Sequence, residues 1–241
     1  MCSTCVADPP QLAAALDALD AAVARIRELN FGTYEPATRL RALQRLETAA
    51  RRQAVAGHDI IAGLAHEDRS DIGGPVHKVI ADWLRISPAQ ARRRLHDAAQ
   101  LNPRTTLTGQ TLPPELPATA LMWRDGQLDT HHLRVIQTFI RDLPADTPAA
   151  IIAKAEAFLA DQATELRPDQ LAKVADRYAI TINPDGKFSD QDRARARGFS
   201  WAPQRRDGMS IAKLTATPEL RANLDAWFAR FAAPGMCNPD D

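Results

Sequence analysis

Apolar residues through the first two-thirds of the chain recur at steps of three and four, the spacing that gathers them on one face of a helix. Between Gln11 and Asn30 the positions Leu12, Leu16, Leu19, Val23 and Ile26 form such a series, the seam of a helix that packs lengthwise on another. From Pro36 to Ala65 the series Leu40, Leu43, Leu46, Ala50, Ala54, Ile61 and Leu64 predicts one helix of about 30 residues, roughly 45 Å long, with arginines along its other side. The short connection from Asn30 to Glu35 favours an antiparallel hairpin closed within one chain. A dimerisation seam between two chains is the alternative. Gly73-Gly74-Pro75 then interrupts the pattern.

The next stretch, VHKVIADWLRISPAQARRRL over residues 76 to 95, reads as a helix-turn-helix. Val76, Val79, Ile80 and Leu84 share a stripe, Arg85-Ile86-Ser87 makes a tight connection, and Pro88 suits the first position of a second helix, where no backbone donor is needed. Ser87 and Gln90 have capping-box spacing. The second helix is expected to bury Ala91, Leu95 and Ala98, leaving Gln90, Arg93, Arg94 and Asp97 outward and Arg92 on the flank. Such a face suits the major groove of double-stranded DNA. Arginine forks a guanine edge and glutamine an adenine edge. The residues assigned to DNA are Gln90, Arg92, Arg93 and Arg94 at base edges or phosphates, with Lys78 and Arg85 on the backbone. A helix pair inside a bundle that never meets nucleic acid is the competing reading of the same pattern.

Asn102 to Pro117 holds four prolines and little periodicity, which predicts a loop. Helices follow around Pro117–Arg124, Thr130–Asp142, Pro148–Thr164 and Pro168–Tyr178. The character then changes. Ala179 to Asn183 alternates like a short strand, Gly198–Ala202 and Met209–Ala216 flank the turn Arg205-Arg206-Asp207-Gly208, and Thr217 caps a last helix, Pro218 to Phe231. The expected fold is mainly α. It is a helical bundle with a long N-terminal helical hairpin and a helix-turn-helix, followed by a small α+β unit of short strand, β-hairpin and helix packed together. The expected divisions are a disordered segment 1–10, a helical domain 11–178 with the helix-turn-helix at 76–100, the α+β unit 179–234 and a tail 235–241.

Composition narrows the chemistry. Of the 241 residues 45% are hydrophobic and 25% charged, which is ordinary for a globular protein. Thirty basic side chains balance 30 acidic ones, so nonspecific coating of nucleic acid is excluded and any DNA affinity must be local. From Arg39 to Arg104 it is local: 12 Arg or Lys face 7 Asp or Glu. The N-terminus, MCSTCVADPPQ, has neither a basic start nor an apolar run, and the cytoplasm is the expected compartment. Cys2 and Cys5 form a CxxC, but the third cysteine is Cys237 at the other end, and no βαβ unit surrounds the pair. His131 and His132 are adjacent and diverge by about 100° on a helix, so they cannot chelate one ion together; one packs and the other faces water. No cofactor, metal site or catalytic set is expected.

The ordered segments ADWLRISPAQARRRLHDAAQLNPRT, WRDGQLDTHHLRVI, INPDG and TPELRANLDAWF together resemble the actinobacterial domain of unknown function 222, known in mycobacteria as the 13E12 repeat family. The resemblance covers about Arg39 to Pro234. It implies a domain that precedes a C-terminal HNH endonuclease module, in multicopy proteins linked to mobile elements, where histidines and an asparagine hold a divalent ion at the scissile phosphate. This chain departs from that pattern where catalysis would lie. No histidine follows His132, and Asp240 and Asp241 are at the very end. A metal-assisted nuclease needs both a ligand set and a base that activates water. The chain is therefore expected to be the N-terminal part of such a protein, cut short before the nuclease and not itself an enzyme. A helical scaffold for self-association, with no nucleic-acid role, is the alternative function.

Overall fold

The computed structural model describes residues 9–231 apart from 107 and 187; Cys2, Cys5, Cys237, Asp240 and Asp241 lie outside the described residues. The order of elements is α1 (Pro10–Glu28), α2 (Pro36–Leu64), α3 (Arg69–Ile72), α4 (Val76–Leu84), α5 (Pro88–Leu101), β1 (Arg104–Thr105), β2 (Thr111–Leu112), α6 (Pro117–Arg124), α7 (Thr130–Asp142), α8 (Ala149–Gln162), α9 (Pro168–Ile182), α10 (Asp190–Ala196), β3 (Gly198–Trp201), β4 (Ala212–Thr215) and α11 (Pro218–Phe231). The fold is mainly α, with two small antiparallel hairpins. No described helix is long and apolar enough to cross a membrane.

The larger core lies among α6, α7, α8 and α9, where Leu128, Leu133, Ile136, Leu159 and Leu171 are fully enclosed. Local sequence places these helices. Pro117 and Pro168 stand in their first turns, and Asp129 caps α7 by accepting from the N–H groups of His131 at 2.7 Å and His132 at 3.0 Å. The α6–α7 turn then docks on α2. Gly126 has φ +73°, and a Cβ there would lie 2.9 Å from Arg52 Cγ and 3.0 Å from the Thr48 carbonyl oxygen. Only glycine combines that backbone with that approach. Arg51 and Arg52 of α2 clamp the turn by donating to the carbonyls of Gln127 at 2.8 Å and Asp125 at 3.0 Å. A smaller core joins α2, α4 and α5 through Ile61, Ile80, Ala81, Ala91 and Ala98.

The two N-terminal helices form as their periodicity predicts, α2 with 29 residues, but their apolar seam is not closed. Leu12, Leu16, Leu19 and Val23 on α1 are exposed, as are Leu40 and Leu43 on α2, the last two by 68% and 64%. The C-terminal half of α2 is the half that packs. Its buried residues are His58 and Ile61.

Three local expectations are corrected. Ala179 to Asn183 is not a strand, because α9 continues to Ile182 and sets Leu171, Ala175, Tyr178, Ala179 and Ile182 against the core at helical intervals. The β3–β4 hairpin and α11 form, with Gly198 opposite Thr215 and Trp201 opposite Ala212, and Thr217 Oγ1 accepts from Leu220 N–H at 3.3 Å. However, every residue of both strands is exposed and α11 buries none, so these elements do not enclose a common core. The proline-rich loop after Asn102 contains the short β1–β2 hairpin.

Candidate nucleic-acid interface

The turn between α4 and α5 is built as the sequence implies. Arg85 closes α4 in the left-handed region at φ +53°, and Ile86 N–H reaches back to the Ala81 carbonyl at 3.0 Å. Ser87 Oγ accepts from Gln90 N–H at 3.1 Å while Gln90 Oε1 accepts from Ser87 N–H at 3.0 Å, the reciprocal capping box. Gln90 therefore spends its carbonyl oxygen on the cap. Only its amide N–H groups are left for another partner, which rules out the two-point pairing with adenine while the cap holds.

The faces of α5 differ from those expected. Ala91, Asp97, Ala98 and Leu101 are buried, and Leu95 is half-buried. Asp97, expected outward, is enclosed and accepts from Gln137 Nε2 of α7 at 2.8 Å, which ties the two helices together. The outward face carries Arg92, His96 and Ala99. Arg94 stands at i, i+4, i+7 with Ala98 and Leu101, on the inward side. It stays exposed because the first turns of α5 overhang a cleft.

That cleft, of about 560 Å³, runs between α2, α5 and α7. Arg93 and Arg94 enter it from α5, Thr130 and Arg134 from α7, and His58 from α2. A second concavity of about 530 Å³ shares Arg93, Asp97 and Arg134 and continues past His96, Gln137 and Arg141. Thr130, Arg134, Gln137 and Arg141 are one polar stripe of α7, so these guanidiniums are brought together by two helices. Lys78 and Arg85 are exposed on α4 and the turn, away from the cleft lining. Among the described residues, none of Lys78, Arg85, Arg92, Arg93, Arg94 and Arg134 forms an ion pair. What sets Arg93, Arg94 and Arg134 apart is that α5 and α7 bring them to one cleft.

His58 lies beneath the arginines. It is 6% exposed, its ring stacks on Trp123 with centroids 5.2 Å apart, and its Nδ1, like Trp123 Nε1, is buried without a partner. Burial lowers its pKa, the nearby Asp97 works against that, and Arg94 adds to the lowering. The imidazole is held neutral. His132 is buried with both ring nitrogens engaged, by Asp129 at 3.0 Å and by the Leu166 carbonyl at 2.8 Å, while His131 is exposed. Among the described residues there is no cluster of three or more histidines, cysteines or carboxylates placed to hold a metal ion.

Sequence reasoning missed Arg134 and His58. The Thr130–Arg134–Gln137–Arg141 stripe was a legible signal for the first. For His58 no local signal exists, since its role depends on Trp123, 65 residues away.

The chain is similar to proteins of mycobacteria. It is 42% identical over 232 residues to "Uncharacterized protein Mb1179c" of Mycobacterium bovis, a match covering 96% of this chain and 51% of that protein. It is 42% identical over all 241 residues to "Uncharacterized protein Rv1128c" of Mycobacterium tuberculosis, where the match covers 52% of the relative. The chain thus spans about half the length of the curated relatives it matches. No solved structure matches it. The profile of the domain of unknown function DUF222 matches residues 40–241, and with these relatives it establishes that the chain belongs to the DUF222 family.

Proposed function

We propose that this chain is a cytoplasmic DNA-binding domain that uses α4 and α5 as a helix-turn-helix, in a family whose longer members position an HNH-type nuclease on mobile-element DNA. The observation that carries the reading is the capped α4–α5 pair with Lys78, Arg85, Arg92, Arg93 and Arg94 all exposed on it, in a chain whose overall charge is zero. Unpaired guanidiniums on a capped helix after a tight turn suit phosphate and base-edge contacts. Arg92 supplies the outward contact, Arg93 and Arg94 reach DNA from the rim of the cleft, and Lys78 and Arg85 hold the backbone. Gln90 contributes the cap and at most a donor.

Fluorescence anisotropy of a labelled duplex, titrated at several salt concentrations, tests this. Each neutralised phosphate adds about 0.9 to the slope of log affinity against log salt. Removing Arg93 and Arg94 together weakens binding by about 2 to 4 kcal/mol. Salt-independent binding, or unchanged affinity in that folded double variant, defeats the reading. The proposed domain binds without cutting, so plasmid incubated with it and Mg²⁺ or Mn²⁺ stays intact; nicking abolished by a point substitution would reverse that.

The exposed α1–α2 seam supports a second reading, self-association. Two copies joined there would carry two helix-turn-helix units. Light scattering at micromolar concentration then gives twice 26.4 kDa, reverting to one chain in Leu16→Lys. A single-chain mass in the unsubstituted protein removes this reading.

A further inference from the structure

We infer that the cleft between α2, α5 and α7 is a binding site for a phosphate ester of nucleotide size. The anionic end sits among Arg93, Arg94 and Arg134, and the uncharged end lies on the α2 wall. The inference concerns the cleft itself and stands whether or not α5 enters a DNA groove.

Five observations converge. The cleft's 560 Å³ falls in the range of small-ligand sites, far larger than one phosphate needs. Three guanidiniums from two helices line it, none in an ion pair, against a single lining carboxylate, Asp97. Asp97 is already bound by Gln137 Nε2, and the Asp129 carboxylate is turned onto the backbone of its own helix. The opposite wall carries an apolar strip, since Ala50, Ala54, Gly57 and Ile61 are successive members of one α2 stripe, with Gln53 beside it. A planar or apolar group can lie flat there. The lining also includes His58, only 6% exposed, whose Nδ1 is buried without a hydrogen-bond partner. An enclosed imidazole in neutral form, with that nitrogen unmet, fits a site completed by something from outside. Thr130, whose hydroxyl makes no hydrogen bond among the described residues, adds a donor at the rim.

The phosphate has two possible sources, a free mononucleotide or the phosphorylated end of a strand, and both present the same monoester to the arginines. Calorimetry with inorganic phosphate, with adenosine 5′-monophosphate, and with a short single strand carrying either a 5′-phosphate or a 5′-hydroxyl separates them. The mononucleotide is expected to bind at least tenfold more tightly than inorganic phosphate and to shift the His58 ring resonances in NMR spectra. Stronger binding of the 5′-phosphorylated strand than of the mononucleotide identifies the strand end as the source; the reverse order identifies the free nucleotide. Arg134→Ala should weaken either ligand at least tenfold, and Arg134→Gln, which keeps the bulk and loses the charge, should do the same. Arg92→Ala, outside the cleft, should lower duplex binding and leave mononucleotide binding unchanged, so failure of the DNA reading and failure of this one are told apart. Absence of binding to all of these monoesters at millimolar concentration, binding that leaves His58 unmoved, or affinity in both Arg134 variants equal to that of the unsubstituted chain overturns the assignment.

Discussion

Glu156 on α8 offers the sharpest test of how the cleft is held in place. It is 3% exposed, and its carboxyl oxygens accept from Thr119 N–H at 2.6 Å, Thr119 Oγ1 at 2.6 Å and Ala118 N–H at 3.3 Å. The start of α6 has no local side-chain cap. Glu156, reaching across from another helix, takes that part, and the same helix α6 carries Trp123 under His58. Glu156→Ala orphans the Thr119 N–H in a fully buried position, where an unmet donor costs about 1 to 3 kcal/mol. The half-buried Ala118 N–H can reach water and adds about 1 kcal/mol or less, and the cavity left by the side chain adds about 1 more. The sum is about 2 to 5 kcal/mol, a large share of the 5 to 15 kcal/mol typical of a folded domain. Glu156→Gln keeps one acceptor oxygen for Thr119 and should cost about half as much. Urea denaturation followed by circular dichroism, with the slope unchanged, measures both. A Glu156→Ala midpoint within about 1 kcal/mol of the unsubstituted chain would show that α6 does not depend on this cap.

Two further perturbations follow from the same frame. Gly126→Ala combines a left-handed backbone, costing about 1 to 2 kcal/mol, with a collision at Arg52 and Thr48, and should lower the melting temperature by about 5 to 10 °C, while Gly63→Ala on α2, with open space around it, should raise stability by up to about 1 kcal/mol; equal melting temperatures would refute the contrast. His58 has a folded pKa below its unfolded one, so the unfolded chain takes up the proton first, and its stabilising effect is present above about pH 6.5 and is lost as the pH falls below that value. Urea midpoints compared between pH 7 and 5 should fall more steeply in the unsubstituted chain than in His58→Gln, and parallel profiles would contradict the buried neutral imidazole.

Much of the helical architecture could be read from the sequence because its signals are local. The capping box at Ser87 and Gln90, Pro88 and the three-four spacing of α2 each act within one or two turns, and each appears where the spacing predicts it. Locality also explains the errors. Ile180-Thr181-Ile182 alternates and is β-branched, which argues for a strand, but core contacts from Tyr178, Ala179 and Ile182 outweigh that preference and keep the helix going. Ser189 and Asp192 form another capping box, and it starts α10, a helix for which the apolar pattern gave no hint. The α1 seam shows the opposite limit. Periodicity reveals that a face is apolar but not what covers it.

The candidate site exposes that limit most clearly. Three consecutive arginines on a helix point in directions about 100° apart, so they can never share one face. The sequence placed Arg93 and Arg94 outward by assuming that α5 packs on one neighbour, α4, which fixes a single buried stripe. In the fold α5 has three further neighbours, α2, α6 and α7, and its buried arc widens to take in Asp97 and Leu101. That widening turns Arg94 toward α2, brings Arg93 beside Arg134, and leaves Arg92 as the outward guanidinium. If α5 met only α4, all three arginines would face solvent. Because α7 brings its own polar stripe to the junction, they divide into a groove-facing contact and a cleft. Arg92→Ala and Arg134→Ala therefore probe different chemistry, although only the first lies in the arginine run that drew attention to this region.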